Sequence, residues 1–253
     1  MKRLLIGDCR EKLLSTLEVI LKHWGYRVLV TSRRERLRAL IAESPPDLLI
    51  VGTLLLSGEA NPLVAEVGRQ VVERGCSLII LRDQEPMVPL AVAHDTLEVP
   101  LDLFALFALI QRHVEKIPRQ NLRLTVKLPG MLCRGESSQL SEVLSLSRQG
   151  LFIRTGFRLE KGEKLKVLFP LLGMRRELEV ETEVLYRVHP DPENNYLQGV
   201  GVAFTTMSEE AREALDAFIQ KRFLGELYAR EPDLSDLTDD QLQSRNDVRL
   251  RLI

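Results

Sequence analysis

The chain opens on a short apolar run, Lys2–Gly7, ending in a Gly-Asp turn. A helical pattern follows, with Leu13, Leu17, Ile20, Leu21 and Trp24 on one face and Gly25 as its stop. Tyr26–Thr31 reads as a strand and Arg33–Glu43 as a helix carrying Leu37, Leu40 and Ile41. Beyond the breaker Pro45-Pro46, Asp47–Val51 is a strand, Pro62–Arg74 a helix, and Ser77–Leu81 and Thr96–Val99 are further strands. Met87-Val88-Pro89-Leu90 leaves little room for a helix between these last two. Leu101–Lys116 is a strongly apolar helix with Leu103, Phe104, Leu106, Phe107 and Ile110. Strands apolar on both faces and alternating with helices belong in a parallel sheet covered on both sides. Five such units predict a flavodoxin-like doubly wound domain over residues 1–117.

From Asn121 the period changes. Leu122–Leu128, Leu151–Thr155, Lys164–Phe169 and Tyr196–Thr205 read as strands between Gly and Pro punctuation. The clearest strand is Leu178–Val188, with Leu178, Val180, Thr182, Val184, Tyr186 and Val188 on one face. Glu179, Glu181, Glu183 and Arg187 take the other face. Short strands at this spacing predict a small barrel. Ser208 caps a closing helix with Glu209 and Glu210 in its first turn and a stripe of Ala211, Leu215, Phe218 and Ile219. In residues 224–253, spaced leucines (Leu234, Leu237, Leu242) stand among Asp233, Asp236, Asp239 and Asp240, a pattern open to a partner-docking helix or a disordered end.

With 253 residues, 45% hydrophobic and 28% charged, the chain has enough material for two globular domains. Its net charge of −1 offers no general attraction to nucleic acid, so no DNA partner is expected. Cys9, Cys76 and Cys133 are odd in number and far apart, as free thiols in a reducing compartment would be. The opening apolar run is too short for a signal peptide and no stretch approaches about 18 uninterrupted apolar residues, which predicts no membrane span and a cytoplasmic protein. His23, His94, His113 and His189 lack metal-like spacing, and no nucleophile–base arrangement or phosphate-cradling glycine loop stands out. The expectation is a protein without catalytic activity, metal or cofactor.

The first half resembles response-regulator receiver domains. Leu4-Leu5-Ile6-Gly7-Asp8-Cys9 is similar to the family's first strand and acidic pair, and Pro46-Asp47-Leu48-Leu49-Ile50-Val51-Gly52 to the strand that ends in the phosphoacceptor aspartate. Leu97-Glu98-Val99-Pro100-Leu101 is similar to the family's lysine-proline turn. Phosphoryl transfer to an aspartate needs a carboxylate nucleophile, acidic groups for Mg²⁺ and a cation for the phosphoryl oxygens. Here Gly52 stands at the nucleophile position and Cys9 beside the one remaining acid, Asp8. Arg82 replaces the switch hydroxyl and Val99 the lysine. The resemblance therefore implies a scaffold kept for docking or for homodimerisation, with Asp8 read as a surface turn residue.

The second half, expected as a domain over 118–223, resembles the PilZ domain, a six-stranded antiparallel β-barrel with a C-terminal helix. Arg119-Gln120-Asn121-Leu122-Arg123 is similar to the family's paired arginines. Ser145-Leu146-Ser147-Arg148-Gln149-Gly150 is similar to its Asp/Asn-x-Ser-x-x-Gly motif. Gly162-Glu163 and Gly199-Val200-Gly201-Val202-Ala203-Phe204 match less specifically. The resemblance implies cyclic di-GMP as ligand, with Arg119, Arg123, Ser145, Ser147 and Gly150 as its site. Guanidinium forks suit phosphate oxygens and the O6/N7 edge of guanine. Ser145 departs from the motif, since a hydroxyl replaces the carboxylate or amide that accepts from guanine N1 and N2. That loss weakens binding by roughly 10–100-fold. Two readings follow. One is a cyclic di-GMP receptor whose ligand alters interdomain arrangement and binding of a protein partner through the receiver-like domain or the tail. The other is an interaction module in which both domains have lost their chemistry.

Overall fold

Five short strands, β1 (Arg3–Gly7), β2 (Arg27–Thr31), β3 (Leu48–Gly52), β4 (Ser77–Arg82) and β5 (Asp95–Glu98), run parallel in the order β2-β1-β3-β4-β5. All five residues of β3 are buried, as a central strand covered on both faces requires. Between the strands run α1 (Glu11–His23), α2 (Arg34–Glu43), the single turn α3 (Thr53–Leu56) and α4 (Pro62–Arg74), and α5 (Leu103–Val114) follows β5. This is the doubly wound arrangement anticipated from the alternating pattern. The computed structural model describes residues 2–58, 61–83, 90–229 and 241–243. Most of the segment Met87–Leu90, where little room was expected for a helix, lies outside them.

Local chemistry sets the helix ends. Asn61 Oδ1 accepts the Leu63 N–H at 3.0 Å, Pro62 occupies the first turn, and Gly75 closes α4 at φ 65°. The Asp102 carboxylate accepts the N–H groups of Phe104 and Ala105 and so starts α5. Leu103, Phe104, Leu106, Phe107, Ile110 and Val114 then face the core, each contributing about 1.5–3 kcal/mol of burial. Trp24 packs edge-on against Phe107 with ring centroids 5.1 Å apart.

Six further strands, β6 (Leu124–Arg134), β7 (Ser137–Ser147), β8 (Gly150–Arg154), β9 (Lys164–Leu171), β10 (Arg176–Val188) and β11 (Gly199–Thr206), close an antiparallel barrel in the order β10-β11-β8-β7-β6-β9. α6 (Glu209–Tyr228) follows, its first turn capped by Ser208, whose Oγ accepts the Ala211 N–H at 3.2 Å. Leu215, Phe218 and Ile219 of its stripe are fully buried.

Two features of the barrel depart from the sequence pattern. β7 was not anticipated as a strand, because Ser-Ser-Gln-Leu-Ser-Glu opens it with polar residues on both faces; its place is set by backbone pairing to β6. In β10 a bulge between Val184 and Tyr186 reverses the alternation. Tyr186, expected on the inner face with Val184, is instead 42% exposed.

The described residues divide into one unit of 2–120 with 225–229 and 241–243, and a second of 121–224. In the first unit Leu242 is buried and bridges Leu101 in parallel, the Leu101 N–H donating to the Gln241 carbonyl at 2.8 Å and the Gln243 N–H to the Leu101 carbonyl at 2.9 Å. Most of the remaining tail, for which helix and disorder stood as alternatives, lies outside the described residues. Among those described, no helix is long and apolar enough to cross a membrane.

Candidate functional site

The C-terminal ends of β1 and β3 meet where a doubly wound sheet ordinarily holds its ligand. Asp8, just past β1, is not the surface turn residue expected: it is 1% exposed. Arg10 Nε lies 2.8 Å from its Oδ1 and Nη2 lies 2.7 Å from its Oδ2, while the Arg10 backbone N–H donates to Oδ1 at 2.8 Å. Arg10 Nη1 also reaches Asp83 Oδ2 at 3.0 Å. The hydrogen bond to Asp8 raises the Arg10 pKa against the opposing effect of burial. The internal carboxylate is thus neutralised by a guanidinium from its own strand end.

Gly52 completes the explanation. A β-carbon built there lies 2.0 Å from Asp8 Oδ2 and 2.7 Å from its Cγ, so the Asp8 side chain occupies the space that a residue-52 side chain would need. Burial and the neighbouring Asp8 raise the Cys9 thiol pKa, which keeps it protonated. Arg82 forms an exposed ion pair with Glu98, and Val99 joins Pro100 through a cis peptide. Among the described residues the space beside position 52 is thus filled by the Asp8 carboxylate, which Arg10 pairs, and Gly52 itself offers no side chain.

The barrel presents a different surface. Strand register aligns Thr125 of β6 with Ser145 of β7, Ser145 with Phe152 of β8, Phe152 with Gly201 of β11, and Gly201 with Tyr186 of β10. Ser147, two residues past Ser145, shares its side of β7. Its Oγ donates to the Gly150 carbonyl at 2.9 Å across the two-residue turn Arg148-Gln149. Ser145, Ser147 and Gly150 are therefore brought together on one patch, with Ser145 half-buried and Ser147 buried. Arg123 is exposed immediately before β6, whose Leu124 pairs with Leu146. Arg119 is also exposed; its backbone N–H donates to Gln111 Oε1 at 3.0 Å, and it is counted with the first unit whereas Arg123 is counted with the second.

Gly150 has a structural reason to be glycine. A β-carbon there lies 2.1 Å from the Val202 carbonyl oxygen and 3.2 Å from Ala203 Cα, so β11 could not keep its approach to β8. Gly150→Ala is expected to lower barrel stability by about 1–3 kcal/mol, measured by urea unfolding, before any ligand is added. An unchanged midpoint would refute this account.

Two contacts that the sequence did not reveal hold the patch in shape. Arg148, inside the Ser-x-x-Gly motif, makes a bidentate pair with Asp216 of α6, Nε to Oδ1 at 2.7 Å and Nη2 to Oδ2 at 2.6 Å. Asp216 is 1% exposed. The available signal was a lone carboxylate set between Leu215 and Phe218 on the apolar side of α6. Asn121 Nδ2 donates to Gln149 Oε1 at 2.8 Å and fastens the chain two residues before Arg123 to the β7–β8 turn.

Together, the doubly wound sheet and the closed barrel define a two-part chain, a receiver-like domain followed by a small barrel domain. Residues 117–221 match the family model of the PilZ domain, and this part of the chain is a PilZ domain. Solved structures similar to parts of the chain include the Bacillus subtilis inhibitor of motility MotI/DgrA, at 19% identity over 44% of this chain and 53% of that one, with a TM-score of 0.39. YcgR from Escherichia coli in complex with c-di-GMP matches at 14% identity over 46% of this chain and 49% of that one, TM-score 0.37. Vibrio cholerae CheY4 matches at 16% identity over 45% of this chain and 99% of that one, TM-score 0.37. The match thus spans about half the length of MotI/DgrA and of YcgR. None of the curated proteins compared with the chain matches it.

Proposed function

We propose that this protein is a non-catalytic cyclic di-GMP receptor whose PilZ domain captures the ligand on the patch formed by Ser145, Ser147 and Gly150, with Arg123 and Arg119 supplying guanidinium contacts to the ligand. What carries the reading is the fastening of Asn121 to Gln149, because it leads the arginine segment onto the turn that holds Ser147 and Gly150. Among the described residues neither arginine side chain is engaged by a carboxylate, so both guanidinium groups remain available to an anion. A ligand with two phosphates and two guanines offers charge for the forks and base edges for the hydroxyls. Ligand capture then alters the binding of a protein partner.

Calorimetric titration of the full chain with cyclic di-GMP tests this. Arg123→Ala is expected to weaken binding by about 10-fold or more, the loss of a charge-assisted contact. Ser145→Asp is expected to tighten it by roughly 10–100-fold, by restoring a carboxylate acceptor for guanine. No heat from wild type or Ser145→Asp at ligand concentrations of about 100 μM, where even a Kd that weak would register, overturns the proposal. That result would favour the second reading, a ligand-free interaction module, for which the filled Asp8–Arg10 pocket is the motivating observation.

A further inference from the structure

The Gly199-Val200-Gly201 stretch of β11 carries more than a strand. Gly199 and Gly201 lie on the same side of β11, two residues apart. A β-carbon at Gly201 would lie 2.3 Å from Tyr186 Cε1 and Cζ and 2.7 Å from its hydroxyl oxygen. A β-carbon at Gly199 would lie 2.9 Å from Phe152 Cζ, and 2.4 Å from the Ile153 carbonyl oxygen. The two glycines thus leave slots into which rings from the flanking strands β10 and β8 settle. The rings are near parallel, 22° apart with centroids separated by 6.3 Å. Phe152 is 9% exposed, but Tyr186 keeps 42% of its surface in solvent. The bulge between Val184 and Tyr186 is what brings Tyr186 to this side of β10.

We infer that Tyr186, backed by Phe152 and seated over Gly201, is a stacking platform for a nucleobase, the second guanine of the ligand whose first base meets Ser145. This rests on the cyclic di-GMP reading above and extends its site across β8 to β11. Register supplies the continuity, since Ser145, Phe152 and Gly201 are successive partners in neighbouring strands. Two strand spacings place Gly201 about 10 Å from Ser145, a span suited to a ligand carrying two bases. Base stacking on an aromatic face needs no hydrogen-bond partner and is insensitive to the Ser145 departure, so it replaces part of the affinity that a carboxylate there would have supplied.

The test is titration of the full chain with cyclic di-GMP, comparing wild type with Tyr186→Phe, Tyr186→Leu and Tyr186→Ala, with thermal unfolding of each. Incorporation of 3-fluorotyrosine gives a fluorine resonance for position 186, assigned by its loss in Tyr186→Phe. Tyr186→Leu still covers Gly201 but lacks a π face, and it is expected to weaken binding by about 5- to 100-fold. Tyr186→Phe should bind as wild type does, and the wild-type fluorine resonance should shift on ligand addition. Should Tyr186→Ala fail to fold, Tyr186→Leu and the fluorine shift decide the matter. Wild-type binding that Tyr186→Leu leaves intact, with a fluorine resonance that does not move, overturns the platform and leaves the receptor reading standing. Wild type that binds no cyclic di-GMP overturns both.

Discussion

Gly52→Asp, which puts an aspartate at the end of β3, is expected to leave the chain unlabelled by acetyl phosphate and to destabilise the receiver-like domain by about 3–5 kcal/mol. The reason is spatial before it is chemical. Asp8 Oδ2 already stands 2.0 Å from where the new β-carbon would go, and Asp8 is held there by Arg10 through two side-chain hydrogen bonds. A second carboxylate would enter a buried site beside a first whose one strong cation is already shared with Asp83. Like charges at that separation oppose each other, and the new group brings no partner. Gly52→Ala separates the two contributions, because it keeps the steric conflict and omits the charge. Urea unfolding of both variants beside a labelling assay provides the measurement. A labelled Gly52→Asp chain of wild-type stability would show that Asp8 and Arg10 move aside freely, and the filled-pocket account would fall.

Arg148→Ala should cost the barrel a similar amount, about 3–5 kcal/mol, and more than Asp216→Ala. The asymmetry follows from exposure: the Asp216 side chain is 1% exposed, whereas that of Arg148 is 32% exposed. Removing the arginine takes the bidentate guanidinium from a buried carboxylate, while removing the carboxylate leaves an arginine that water can reach. The double variant is expected to recover much of the Arg148→Ala loss, since the buried carboxylate is then removed together with its guanidinium. Equilibrium urea unfolding of the three variants checks the order. Equal losses for the two single variants would mean that burial of Asp216 does not govern the energetics. Because Arg148 sits between Ser147 and Gly150, Arg148→Ala is also expected to weaken cyclic di-GMP binding without touching a residue assigned to the ligand.

The first half of β7, Ser137–Glu142, buries no residue fully and is held by backbone pairing to β6 with the polar contacts Thr155–Gln139 and Arg154–Glu142, which leaves no hydrophobic period. Tyr186 was placed inside because strict alternation along β10 carried it there; a single bulge reversed that, and bulges depend on the partner strand. Asp8 read as a turn residue because the Gly-Asp pair it forms is common in turns. Its burial depends on Gly52, 44 positions along the chain, lacking a side chain. By contrast α4 was legible to the residue, since Asn61, Pro62 and Gly75 mark both of its ends locally.

The glycine at position 52, the two classes of secondary structure and the spacing of Arg119, Arg123, Ser145, Ser147 and Gly150 were determined by the chain's local pattern, because period, capping and residue identity are properties of near neighbours. The tertiary structure alone decided what occupies the vacated acceptor space, why Gly150 and Gly201 are glycines, and which carboxylate holds Arg148. Each of these depends on atoms brought together from distant parts of the chain, at separations of 2–3 Å that no sequence spacing encodes.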